Sequence, residues 1–293
     1  MSVFPTKILI AADGSEDAEL AATTAVGLAM VTGSELHVVH VGYAVPEHFE
    51  PTDVEAAQKM DQEASRILEE QVEKIENIGG TVAQSHLRVG SAAGEIVELA
   101  EELGVGLIAV GSRGRGKLKR LAMGSVSDAV VRHAHCAVMV VRWKPVVFPA
   151  KILLATDGSR EAILAAQMAA ELVERTGSEL HMEHAGWVFH GTYSGWNLAP
   201  LPVGFSQAEL DRGARKLLEA EVERMEGAGT QVARAHLRSG RADEEIVVLA
   251  EELGTDLIVL GCRGLGGVRR AMMGSVSESV VRHAHCPVLV ARE

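Results

Sequence analysis

The feature that most constrains this chain of 293 residues is that it is written twice. KILIAADGS at 7–15 returns as KILLATDGS at 151–159, and GSELH at 33–37 returns at 177–181. SHLR at 85–88 returns as AHLR at 235–238, while LAEELG (99–104) and VVRHAHC (130–136) recur verbatim at 249–254 and 280–286. The offset is 144 residues between Asp13 and Asp157 and 150 between Gly111 and Gly261, so six extra residues enter the second copy between its second strand and second helix. A repeat of this period means two similar units in tandem rather than one large domain. The expected domains are 1–143 and 151–293, joined at Trp143-Lys144-Pro145-Val146-Val147-Phe148-Pro149. Two prolines stiffen that short linker, which favours packed domains over independent ones.

Each copy alternates short apolar runs with helical patterns. In the first, strands are expected at 7–12, 35–41, 81–88, 107–110 and 137–141, and helices at about 15–31, 53–77, 93–102 and 125–132. Ser15 or Asp13 stands where a helix cap is needed. Apolar strands separated by helices imply a parallel sheet covered on both faces. The expected fold class is therefore α/β: two tandem flavodoxin-like domains, each a doubly wound five-stranded sheet, for which we take the order 3-2-1-4-5. Its ligand crevice lies where the strand order reverses, between the carboxyl ends of strands one and four.

A glycine-rich stretch ends at that crevice in both copies. Residues 107–126 read LIAVGSRGRGKLKRLAMGSV and residues 257–276 read LIVLGCRGLGGVRRAMMGSV. Gly111, Gly114 and Gly124-Ser125 recur as Gly261, Gly264 and Gly274-Ser275 with identical spacing. Strand, glycine loop and helix start form a natural anion cradle, because glycine lets the backbone approach and the first helical N–H groups are unpaired. Arg113 and Arg263 could add charge-assisted contacts. The loop is no Walker motif, since Leu118 stands where Ser or Thr would meet magnesium. It is no dinucleotide fingerprint either, with Lys119 in the third glycine's place. A phosphoacceptor site fails too, since strand three ends at Arg88 without an aspartate.

Other tempting residues carry less. His37 and His40, three apart on a strand, face opposite sides and cannot share a metal; His181 and His184 repeat this. His133-Ala-His135-Cys136 and its copy at 283–286 fit a turn into a buried strand. The basic run at 115–120 reads as a solvated loop face. The enlargement within 186–206 holds Trp187, Phe189, Tyr193, Trp196 and Phe205, half of the chain's aromatic residues, so it reads as a partner surface, a lid, or a loop packed on itself.

A net charge of −12 argues against nucleic acid or an anionic membrane as partner, though not against a small anion met by local donors. Three cysteines without a CxxC pair, no leader-like start and no apolar run of membrane length lead us to expect a cytoplasmic protein.

The spaced glycines, Ala12-Asp13-Gly14-Ser15 (Thr156-Asp157-Gly158-Ser159) and the Arg-His-Ala-His-Cys run together resemble the ATP-binding class of the universal stress protein family. The resemblance covers nearly the whole chain. It implies that Asp13, Val41 and Val110 line the adenine and ribose end of a pocket, and that Gly111, Arg113, Gly114, Gly124, Ser125 and Val126 hold phosphates and close its floor. In the second copy it implies Asp157, Ala185, Leu260, Gly261, Arg263, Gly264, Gly274, Ser275 and Val276, with Ala185 departing from Val41. The implied ligand is an adenine nucleotide, ATP, with any magnesium held mainly by the phosphates. The implied role is a nucleotide-dependent sensor in stress tolerance or signalling. No catalytic residue is expected, because the loops after strand four contain no acid in either copy; the alternative is an enzyme that slowly hydrolyses ATP or transfers phosphate or adenylate. The apolar fifth strands, 137–141 and 287–290, are expected to pair as an internal pseudo-dimer, with a homo-dimer as a further possibility.

Overall fold

The computed structural model of the chain describes residues 3–42, 54–114, 123–186, 206–265 and 273–292, and the side chains of 54–57 are set aside. The basic run at 115–120 and the aromatic segment at 187–205 lie outside the described residues. The first copy contains β1 (Lys7–Ala11), α1 (Glu16–Thr32), β2 (Glu35–Gly42), α2 (Val54–Asn77), β3 (Val82–Val89), α3 (Ala92–Leu103), β4 (Leu107–Gly111), α4 (Ser125–His133) and β5 (Ala137–Val141). The second repeats it as β6 (Lys151–Ala155), α5 (Arg160–Thr176), β7 (Glu179–Gly186), α6 (Gln207–Gly227), β8 (Arg234–Ser239), α7 (Ala242–Leu253), β9 (Leu257–Gly261), α8 (Ser275–His283) and β10 (Val288–Ala291).

Local chemistry sets the element ends. Ser15, rather than Asp13, caps α1 by accepting from the Ala18 amide, and Gly33 closes the helix at φ 74°, in the left-handed region that suits glycine. Ser159 and Gly177 do the same for α5. The strands form one sheet of ten in the order β3-β2-β1-β4-β5-β10-β9-β6-β7-β8. Each half has the expected order 3-2-1-4-5. The halves meet through their fifth strands, with β10 antiparallel to β5 and Leu289 opposite Met139.

Helices cover both faces. One apolar layer joins Ile8, Ile10, Val38 and Met139 to α1 and α2, then continues through Ile152, Leu154, Met182 and Leu289 to α5 and α6. The other joins Leu9, Val39, Ile108 and Val140 to α3 and α4, and continues through Leu153, Ile258 and Val288 to α7 and α8. Full burial of each such Val, Leu or Ile contributes about 1.5–3 kcal/mol. Both layers run without a break across the junction, so no core belongs to one copy alone.

Polar contacts fasten the same junction. Arg132 donates to Asp128 at 2.9 Å and bonds Glu278, while Arg282 donates to Asp128 at 2.9 Å and pairs with Glu278 at 2.8 Å. Burial works against the Asp128 charge, but its bonds from Arg132 and Arg282 hold its carboxyl below the usual range. Arg142 donates to the Arg282 carbonyl at 2.6 Å, and Arg292 reciprocates at the Ala134 carbonyl. Glu171 on α5 accepts from the Val3 and Phe4 amides, 2.9 Å each. The linker lies on α1, where Thr24 accepts from the Val146 amide at 3.0 Å and a Cβ on Gly27 would sit 2.2 Å from the Val147 carbonyl oxygen. Cutting the chain at an inserted protease site in the linker should leave the halves associated at micromolar concentration; separation on size exclusion would refute the shared sheet.

One core position is chemically out of place. Glu183 on β7 stands where β2 has Val39; it is 0% exposed and neither carboxyl oxygen has a partner. Burial pushes it from 4.5 up to about 8, with Arg238 opposing and Glu245 and Glu252 adding to the rise. The acid is protonated when folded and ionised when unfolded between those two values. Stability from this group is therefore whole below pH 4.5, falls by up to about 1.4 kcal/mol per pH unit towards pH 8, and then levels off. Glu183→Val should raise the melting temperature more at about pH 8 than at about pH 5. A constant gap across that window would show that the carboxyl titrates normally.

Candidate nucleotide site

Strands β1 and β4 are parallel neighbours, with Ile10 opposite Ala109, so their carboxyl-end loops leave the sheet side by side. One bond joins those loops, and two more brace them, one within the first loop and one between α4 and the second. The Ser15 hydroxyl donates to the Arg113 carbonyl at 3.2 Å, and the Ser15 amide donates to Asp13 Oδ1 at 3.0 Å. The Ser127 hydroxyl, from the first turn of α4, donates to the Ser112 carbonyl at 2.8 Å. The second copy repeats all three through Ser159 to Arg263, Ser159 to Asp157, and Ser277 to Cys262, at 3.2, 3.0 and 2.8 Å. From behind, His40 Nδ1 lies 2.6 Å from the Ala12 carbonyl oxygen and His184 Nδ1 lies 2.8 Å from that of Thr156.

The glycines do different jobs. A Cβ on Gly111 would lie 2.5 Å from the Asp17 carbonyl carbon and 2.6 Å from the Ala18 nitrogen, so this glycine exists for the approach of α1 to β4. Gly261 meets Glu161 and Ala162 in the same way, at 2.7 and 2.8 Å. Gly114 and Gly264 instead face the aspartates: a Cβ there would sit 2.4 Å from Asp13 Oδ2 and 2.2 Å from Asp157 Oδ2. A Cβ on Gly124 would lie 3.2 Å from the Arg113 Cα, so the loop carries the arginine close to the start of α4. Gly124 and Gly274 are also the N-caps of α4 and α8, and neither helix receives a side-chain capping bond. Ser125 and Val126, with Ser275 and Val276, form exposed first turns whose amides need an acceptor.

Other expected site residues divide by depth. Val110 and Leu260 are each 3% exposed and belong to the core behind the glycines. Val41 and Ala185 are half-buried at the ends of β2 and β7. Asp157 Oδ2 accepts the Leu265 amide at 2.9 Å, which pins the second glycine loop. Arg113 donates Nε to Asp17 at 3.1 Å, and Arg263 pairs with Glu161 at 2.8 Å. Asp17 also accepts the Ser112 hydroxyl at 2.7 Å, and Arg142 donates to the same hydroxyl at 3.2 Å. Burial, and then the nearby Arg113 charge, lowers the Arg142 pKa.

Sequence reasoning missed Ser127 and Ser277, the acids Asp17 and Glu161, and the role of His40 and His184. Their signal was present: each recurs in both copies at matching positions. Four other histidines pair across strands, His37 with His86 at 3.3 Å and His181 with His236 at 3.0 Å. Among the described residues, no group of three or more His, Cys, Asp or Glu side chains is placed to hold a metal. Cys136 and Cys286 are free thiols that burial pushes up to about 11 and about 12, which makes them poor nucleophiles.

The two kinds of glycine predict two kinds of variant. Gly111→Ala and Gly261→Ala should each cost about 1–3 kcal/mol of stability, because the added methyl meets backbone that cannot yield. Gly124→Ala should cost much less, its contacts being looser. Thermal melting of the three proteins checks the order, and equal losses would contradict it.

Comparison with known proteins agrees with this architecture. The profile of the universal stress protein family matches residues 5–142 and again 150–292. A universal stress protein of Mycobacterium tuberculosis is 28% identical, over 98% of this chain and 97% of its own length. A second from that organism is 32% identical, over 73% of this chain and 70% of its own. The crystal structure of a universal stress protein from Archaeoglobus fulgidus superposes with a TM-score of 0.72 at 26% identity, covering 98% of this chain and 96% of that one. No helix among the described residues is long and apolar enough to cross a membrane.

Proposed function

The chain belongs to the universal stress protein family, and we propose that each of its halves binds an adenine nucleotide, ATP, and that the pair serves as a nucleotide-dependent sensor in stress tolerance or signalling. The observation that carries this reading is the uncapped start of α4, and of α8, beside a glycine loop at the switch point of each half-sheet. Unpaired amides at a helix N-terminus attract a polyanion. Gly114 and Gly264 let the loop backbone close against Asp13 and Asp157 at the adenine and ribose end, and Val41 or Ala185 offers an apolar edge for the base. Arg113 and Arg263 stand at the cradle, so a phosphate that reaches them competes with Asp17 and Glu161. This local arrangement is compatible with the protein's overall charge of −12, since few donors suffice for one small anion.

Binding without rapid turnover fits these residues better than hydrolysis does. Phosphoryl transfer needs a group that positions the attacking water and ligands that neutralise developing charge. The acids beside the glycine loops serve to hold the loops and the arginines: Asp13 accepts the Ser15 amide, Asp157 accepts the amides of Ser159 and Leu265, and Asp17 and Glu161 pair with Arg113 and Arg263. Magnesium would be held mainly by the phosphates, with the Ser125 or Ser275 hydroxyl at the helix start able to assist.

Calorimetry with ATP and magnesium should give two sites per chain. Gly114→Val and Gly264→Val should each reduce two to one, because a branched side chain would collide with the aspartate carboxylate and push the glycine loop out of place. Retention of two sites in either variant would misplace the phosphates. With excess ATP, phosphate release should stay far below the enzyme median of about 10 s⁻¹. Turnover near that value, lost in Gly124→Val, would favour an enzyme.

A further inference from the structure

The junction between the first domain and the linker is built around an unusual turn. Trp143 has φ 67°, and it alone among the described residues other than glycine has a positive value. The Lys144 amide donates to the Arg142 carbonyl at 2.8 Å, which closes a three-residue turn with Trp143 at its centre. Turns of this hand are rare and strained for a bulky residue. The neighbours hold it from both sides. Arg142 is buried and bonded to Ser112 and to the Arg282 carbonyl. Lys144 pairs with Asp256 at 3.1 Å, and Asp256 also accepts the amides of Ala150 and Lys151.

The turn turns the Trp143 side chain back towards the glycine loop. Its ring lies 5.2 Å from the Arg113 guanidinium carbon, while the ring itself remains half exposed. Arg113 is thus held between an acid, Asp17, and an aromatic face, beside the start of α4. In the second copy the position of Trp143 is taken by Glu293, an acid without a ring. The sequence of the second copy thus repeats the glycines and the arginine but not the tryptophan.

We propose that Trp143 is a positioning residue of the first site: its indole keeps the Arg113 guanidinium at the phosphate end of the cradle and so strengthens that site's preference for phosphate-bearing nucleotides. The inference rests on the nucleotide-binding reading above. A phosphate can draw Arg113 away from Asp17, and the ring then limits where the freed side chain can go. Strain at φ 67° is tolerated because the buried Arg142 and the Lys144–Asp256 pair fix the chain on either side.

The test reads the first site alone, in full-length protein carrying Gly264→Val, with ATP and adenosine as probes. Trp143→Ala should weaken ATP binding about two- to fivefold, the scale of a half-exposed cation–π contact, and leave adenosine unchanged. Trp143→Phe should retain most of the ATP affinity. Trp143→Gly accepts the positive φ without strain, so it should keep the fold while losing the same ATP preference. In an Arg113→Ala background, Trp143→Ala should have no further effect on ATP. Equal losses for ATP and adenosine, no loss for either, or a full loss persisting without Arg113 would each overturn the positioning role while leaving the nucleotide site intact. Absence of ATP binding by the parent protein would overturn the nucleotide reading and this inference with it.

Discussion

Antiparallel pairing of β5 with β10 is the contact on which the rest of the molecule depends. Each fifth strand is apolar on both faces and would be a bare sheet edge in an isolated half. Pairing them satisfies those main-chain groups and makes one sheet of ten strands, and both helical layers continue across the join. The strands left at the rims, β3 and β8, are largely exposed and carry His86, Arg88, Arg234 and Arg238, side chains suited to an edge that should stay unpaired. The same join sets where Arg142 and Arg292 go. Each leaves the end of its own fifth strand and reaches a carbonyl at the end of the other half's last helix. An arginine beside unpaired carbonyls at a helix C-terminus meets both its hydrogen-bonding need and the helix dipole.

The crevice inherits its shape from this frame. Gly111 and Gly261 let α1 and α5 approach β4 and β9 closely, and that approach sets the loops after β1 and β4 side by side. Ser15 and Ser159 then bind one loop to the other through a backbone carbonyl, and Ser127 and Ser277 bind the second loop to the helix that follows it. Cradle glycines and packing glycines are interleaved in one short motif. A variant at one kind tests binding, and a variant at the other tests folding.

The duplicated scaffold carries unequal chemistry. Val39 is matched by Glu183, Ser112 by Cys262, Asp17 by Glu161, and Trp143 by Glu293. Each exchange changes charge, hydrogen bonding or side-chain length at a repeated position of the sequence. Glu183 illustrates the limit of such tolerance. A protonated acid can be buried without a partner at a moderate cost, whereas an ionised one in the same place would be far less acceptable.

Much of this was legible in the residues themselves. The repeat implied two similar units, the apolar runs and caps located most elements within a residue or two, and alternation implied a parallel sheet, although alternation alone does not fix the strand order. Ser15, Gly33, Ser159 and Gly177 act through local bonds, so their roles could be read from sequence neighbours. The glycine spacing pointed to the crevice, but it could not sort Gly111 from Gly114. That distinction depends on which atoms approach from α1, nearly a hundred residues earlier in the chain. Likewise, nothing near Arg113 in the sequence reveals Asp17 or Trp143, and nothing near His37 reveals His86. Periodicity, capping and turn chemistry are local and were determined by the sequence alone. Contacts between side chains far apart in the chain, and the burial that shifts Glu183, were decided only when tertiary packing brought those groups together and removed their water.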